Sequence, residues 1–225
     1  MRRRDLLKAI PLLATPALAQ GTASTLRFVP AANLSTLDPV WTTATVAIIH
    51  AYAVYDTLYG IDDAGRIQPQ MCAGHDISAD DLSWTFTLRD GLMFHDKAKV
   101  LAQDCVTSIQ RWAARDPFGQ QLMLQTNEIA ALDDRRWQIR LKRPFRQMLY
   151  ALGTRNCFVM PERMARTPAS EQIKETVGSG PYRFLPDQWV SGASAAYARF
   201  DGYVPRQEAP GYFAGGKVAH FKRVE

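Results

Sequence analysis

Two stretches of this 225-residue chain have residue types and spacings that suggest chemistry. Cys72 and His75 stand at a ligand-like interval. A zinc site needs four ligands held together, and no second pair follows nearby, so these two read as packed or surface residues. Gly178-Ser179-Gly180-Pro181 carries the glycines of a phosphate-cradling loop. Such a loop opens a helix and sets a lysine against the phosphates, whereas here a strand-like segment follows and that lysine is missing. The serine also lacks the Gly-x-Ser-x-Gly frame that would make it a nucleophile. The stretch therefore reads as a turn. His95-Asp96 offers short polar side chains that fix a turn by bonding local amides. With no dinucleotide glycine fingerprint and no metal cluster, no catalytic residue, metal or cofactor is expected.

The elements that would position these residues alternate strands with helices. Trp84-Thr85-Phe86-Thr87-Leu88 and Arg136-Trp137-Gln138-Ile139-Arg140-Leu141 each alternate large apolar with polar side chains, the pattern of strands with one buried face. Their likeness predicts neighbours in one antiparallel sheet. A first strand is expected over 25–29, closed by Pro30, and further extended segments over 182–185, 196–200 and 218–224. Helices are expected over 45–58, with Val46, Ile49, Tyr52 and Ala53 toward a sheet, and over 102–114, stopping before Asp116-Pro117. Others are expected over 122–132, over 145–152, and from Pro161, a residue tolerated in a first helical turn.

The N-terminus reads as a leader. Arg3-Arg4-Asp5-Leu6-Leu7-Lys8, a short apolar run and Ala17-Leu18-Ala19 match a twin-arginine export signal with a cleavage site. The mature protein would then begin near Gln20 and work in the periplasm. Residues 1–19 hold four basic side chains against Asp5, so residues 20–225 keep only +2 of the chain's +5. The basic balance is therefore not a nucleic-acid footprint. Cys72, Cys105 and Cys157 are too few for a disulfide framework. One bridge in an oxidising compartment and three buried reduced thiols both remain open.

Three motifs in order decide the reading. Leu37-Asp38-Pro39 is followed by Val54-Tyr55-Asp56-Thr57-Leu58 and a turn at Asp62-Asp63-Ala64-Gly65. Next comes Leu82-Ser83-Trp84-Thr85-Phe86-Thr87-Leu88-Arg89-Asp90-Gly91, with Phe94-His95-Asp96 after it. The third is Val177-Gly178-Ser179-Gly180-Pro181-Tyr182-Arg183-Phe184, then Trp189 and Asp201-Gly202-Tyr203. Together, from Thr25 to Glu225, they resemble the periplasmic solute-binding proteins of peptide and nickel ABC importers, the dipeptide and oligopeptide type. Two departures stand out. Lys97-Ala98-Lys99 replaces a turn that usually carries glycine and then proline, and Leu101 replaces a polar helix cap. The missing cap oxygen is expected to cost about 1 kcal/mol.

The resemblance implies an α/β fold with mixed sheet, the first lobe of a two-lobed type II-like binding protein. The lobe is expected to be incomplete, because the second lobe that follows in the family is not represented in these residues. It implies a core sheet from 20–60 and 176–225 and a smaller attached subdomain over 61–175. It also implies a peptide-like or small polar ligand, delivery to an inner-membrane ABC permease, and a monomer that binds no nucleic acid and performs no catalysis. The expected ligand wall is Ala32, Asn33 and Leu34 in the loop leaving the first strand, Trp41 and Thr43 beyond it, and Phe118 and Gly119 on a second rim. Asp38, Asp56, Arg89 and Asp104 read as structural. The alternatives are an exported cofactor-dependent enzyme, and a non-functional half-lobe fragment with an exposed apolar patch.

Overall fold

A computed structural model describes residues 24–154 and 156–225. The leader expected over 1–19 lies outside the described residues. β1 (Thr25–Leu26) runs through a long loop to α1 (Thr45–Val54), and β2 (Asp56–Thr57), β3 (Tyr59–Ile61) and β4 (Ile67–Pro69) follow as short strands. The middle of the chain holds β5 (Cys72–Ile77), β6 (Ser83–Leu88), α2 (Ala102–Ala113), α3 (Pro117–Gln125), β7 (Thr126–Ala131) and β8 (Arg136–Leu141). α4 (Met148–Thr154), β9 (Phe158–Val159), α5 (Glu162–Ala165), β10 (Tyr182–Phe184), β11 (Tyr197–Arg199) and β12 (Arg223–Val224) close the order.

The two alternating segments are β6 and β8, and they pair antiparallel at the centre of the sheet β5-β6-β8-β7. Trp84, Phe86 and Leu88 turn inward from one, Trp137, Ile139 and Leu141 from the other. Phe86 opposes Trp137 across the ladder with their rings stacked at 5.2 Å. α2 lays Cys105, Val106, Ile109 and Trp112 into this same core. A second sheet has the order β1-β12-β11-β10, with β1 parallel to β12 and the other pairs antiparallel. Its core gathers Ala51, Val54, Tyr55, Phe158, Met160, Met164, Phe184 and Tyr197. The result is the mixed α/β fold that the sequence implied.

Two helices depart from expectation. α1 buries Ala47, His50, Ala51 and Val54 rather than Val46, Ile49 and Ala53. The helix expected over 122–132 ends at Gln125, and Thr126 opens β7 instead. Asp116-Pro117, read as the end of a helix, begins α3. The Asp116 carboxylate accepts the amides of Phe118 at 2.7 Å and Gly119 at 3.2 Å, and Pro117 suits the first turn.

Buried polar ties join distant parts of the chain. The Arg111 guanidinium donates to both carboxylate oxygens of Asp38, at 3.1 and 2.8 Å, and also to the carbonyls of Thr167 and Glu171. Asp38 accepts the amides of Val40 and Ile173 as well. Asp56 accepts from Lys217 at 2.6 Å and from the Tyr203 hydroxyl at 3.0 Å. His95 does more than fix its own turn: its Nε2 lies 3.0 Å from the Gly180 carbonyl, and its Nδ1 accepts the Gly178 amide at 3.3 Å. Gly178 and Gly180 press on the end of α1, where an added Cβ would stand 2.0 and 2.7 Å from the main chain of Val54. That close approach is what the turn's glycines are for. The three cysteines are buried and free, and burial pushes each thiol above its ordinary range.

Candidate functional site

The chain leaves β1 with the Phe28 amide donating to the Glu225 carbonyl, and Pro30 then removes a donor and ends the pairing. Ala31, Ala32 and Asn33 lie exposed, while Leu34 turns inward as an anchor. Among the described residues, no main-chain N–H or C=O of residues 31–34 has a hydrogen-bond partner. The Asn33 side chain is occupied: its Oδ1 accepts the Gly192 amide at 2.7 Å, and its Nδ2 donates to Ser191 Oγ at 3.4 Å. It sews the loop to a tight hairpin, in which Val190 and Ser194 bridge and Gly192 takes φ 83°.

Between this loop, that hairpin and the outer face of α1 lies a cavity of about 640 Å³. Its wall is mainly apolar, with Phe28, Val29, Val46, Ile49, Trp189 and Val190 prominent. Val29 is 92% exposed and Val190 58%, an apolar rim open to water. At the floor, His50 Nδ1 lies 3.0 Å from the Tyr197 hydroxyl, and its ring stands edge-on to Phe184 at 5.1 Å. Burial pushes its pKa down to about 4, so the ring is neutral near pH 7.

Ala32, Asn33 and Leu34 all line this cavity. Trp41 and Thr43 do not. The Trp41 ring lies beneath the Arg115 guanidinium, 4.7 Å away, and its carbonyl accepts from Arg115 at 3.4 Å. Thr43 is exposed just ahead of α1. Phe118 and Gly119 sit elsewhere, in the first turn of α3. Phe118 packs on the β5–β8 core and against Tyr150 at 5.7 Å. Gly119 is buried, with Ala113 Cα only 2.5 Å from where a Cβ would stand. The residues missed in the sequence are the 189–195 hairpin and His50. The apolar face of α1 is visible at helical spacing, but Val46, Ile49 and Ala53, expected toward the sheet, line the cavity instead.

Residues 66–225 match the family model of bacterial extracellular solute-binding proteins, family 5 Middle. The chain is 41% identical over 231 aligned residues to a probable peptide ABC transporter periplasmic-binding protein of Sinorhizobium fredii, covering 99% of this chain and 43% of that one. It is 26% identical over 197 residues to a glutathione-binding protein of Salmonella typhi, covering 87% and 38%. A dipeptide-binding protein from a Pseudoalteromonas species, solved with Met-Leu, superposes with a TM-score of 0.72 at 21% identity over 89% of this chain and 42% of that one. A Brucella suis NikA solved with Fe(III)-EDTA also gives 0.72, at 20% identity, over 89% and 38%. The first three of these bear the names of binding proteins, and the chain spans about two fifths of the length of all four. By the family-model match, which covers most of its length, the chain belongs to the bacterial extracellular solute-binding proteins of family 5.

Proposed function

We propose that this chain supplies one wall of the binding cleft of a periplasmic solute-binding protein that captures a small peptide-like solute for an ABC permease. The observation that carries this reading is the unpartnered main chain of residues 31–34, exposed from Ala31 to Asn33 and anchored by buried Leu34, at the mouth of an apolar cavity. An extended peptide pairs with such a segment as an added strand, its main chain giving affinity and its side chains seeking pockets. Ala32, Asn33 and Leu34 form this wall through their main-chain groups, because the Asn33 amide is committed to the hairpin. Trp41 and Thr43 follow on the loop ahead of α1, outside the cavity, while Phe118 and Gly119 keep the packing role their positions give them. Relatives named for peptide and glutathione binding support a peptide-like solute.

The same reading includes export through the twin-arginine machinery, a monomer without cofactor or catalysis, and a division into a core sheet (20–60 and 176–225) with an attached subdomain (61–175). The test is an amide-resolved NMR titration of the labelled chain with Met-Leu and with glutathione. Saturable movement of the 31–34 amides, with a dissociation constant of about millimolar or tighter, is expected. A well-dispersed spectrum in which those amides stay still through saturating peptide would overturn the assignment.

A further inference from the structure

We propose that His95 is an acid-operated latch between the two cores of this molecule, releasing the Gly178-Ser179-Gly180-Pro181 turn when its ring is protonated. His95 belongs to the turn that follows β6 in the first core. The segment it holds leads directly into β10 of the second. Three bonds make the closure: the His95 amide donates to the Gly178 carbonyl at 2.8 Å, the Gly178 amide donates to Nδ1 at 3.3 Å, and Nε2 meets the Gly180 carbonyl at 3.0 Å. The last two fix the tautomer, because one ring nitrogen must accept while the other donates. A proton on Nδ1 would set a donor against the Gly178 N–H. The Gly180 amide in turn donates to the Val54 carbonyl at 2.8 Å, so release also frees the end of α1.

The surroundings favour the neutral ring. Burial lowers the His95 pKa to about 4, against the opposing pull of its bond to Gly180. Of the charges facing it, Arg183 of β10 disfavours the imidazolium, while Asp96 favours it. Asp96 is itself shared with Arg163, which also pairs with Glu175. The end of α1 sets the Val54 main chain, and Tyr55 just beyond it, against Gly178 and Gly180; burial keeps the Tyr55 hydroxyl neutral, and the Phe200 ring stands edge-on to His95 at 5.0 Å. An unfolded histidine takes up its proton near pH 6.5. The latch therefore holds fully above that pH, and its contribution is lost as pH falls through about 4.

The test is residue-resolved NMR of the full chain from pH 7 to pH 3.5, following the His95 ring and the exchange protection of the Gly178 and Gly180 amides. Protection at each pH is taken relative to the free amide. The expected result is a His95 titration near pH 4, with glycine protection falling by up to about tenfold per pH unit between about pH 6.5 and pH 4 and levelling off below it. The amides of Phe86, Ile109 and Trp137 stay protected through that step. In His95→Gln the acid step at the two glycines disappears. Titration near pH 6.5 with unchanged glycine protection, loss of glycine and core protection together, or an acid step that persists in His95→Gln would each overturn the latch. If His95→Gln does not fold, the wild-type titration decides alone. The 31–34 amides report solute binding separately, so the two proposals fail independently.

Discussion

Lys97 holds a left-handed backbone conformation, φ 72°, in the turn after His95-Asp96. A side chain there crowds the following carbonyl. The turn survives because three bonds close it: Phe94 donates to Ala98, Lys97 donates to Phe94, and the Ala98 amide donates to the Asp96 carboxylate. Lys97→Gly is expected to raise stability by about 0.5–1 kcal/mol, the relieved strain less the extra freedom of glycine in the unfolded chain. A higher urea midpoint with an unchanged slope would show it, and a lower midpoint would refute it. At this scale the sequence was partly legible. The odd residue at 97 could be seen, and so could local Asx bonds like that of Asp96. The partners of His95 could not, because more than eighty residues separate it from Gly178 and nothing local marks that pairing.

The start of α2 shows how an element absorbs a poor cap. Leu101 has no side-chain oxygen to offer, yet its backbone is extended as a cap requires. Asp104 returns half of a capping box by accepting the Leu101 amide at 2.7 Å, and the Ala102 amide is taken by the Asp134 carbonyl at 2.8 Å. Leu101→Thr would restore the other half and is expected to stabilise the chain by about 1 kcal/mol, read from thermal or urea unfolding. Loss of stability would instead mean that Leu101 packing outweighs the cap. The sheet strands β6 and β8 were legible because strict alternation has one explanation. α1 was not, because Val46, Ala47, Ile48, Ile49, Ala51, Ala53 and Val54 leave scarcely a polar face by which to choose the buried side. The helix expected over 122–132 joins the end of α3 to β7, because Leu122, Ile129 and Leu132 recur at helical spacing. Thr126 decides the boundary by turning its hydroxyl back onto the Leu122 carbonyl at 2.9 Å.

Across the whole molecule, Asp38 and Arg111 connect the loop before α1 with α2 and with the 167–173 segment, and both side chains are almost fully withdrawn from water. Arg111→Leu strands a buried carboxylate and is expected to cost about 3–5 kcal/mol in urea unfolding. The pair Asp38→Leu with Arg111→Leu should recover part of that loss, and a single variant as stable as the parent would show that the pair is not a tie. Family and fold class were legible at this scale because motif order survives in sequence. The apolar cavity was not, because it is enclosed by residues 27–34, 46–53 and 189–195, which meet only in three dimensions. The buried thiols have one more consequence. Cys72, Cys105 and Cys157 are each 0% exposed. A maleimide in solution therefore meets sulfur only in molecules that have opened, and the rate at which it is consumed is an intrinsic clock for breathing of the core.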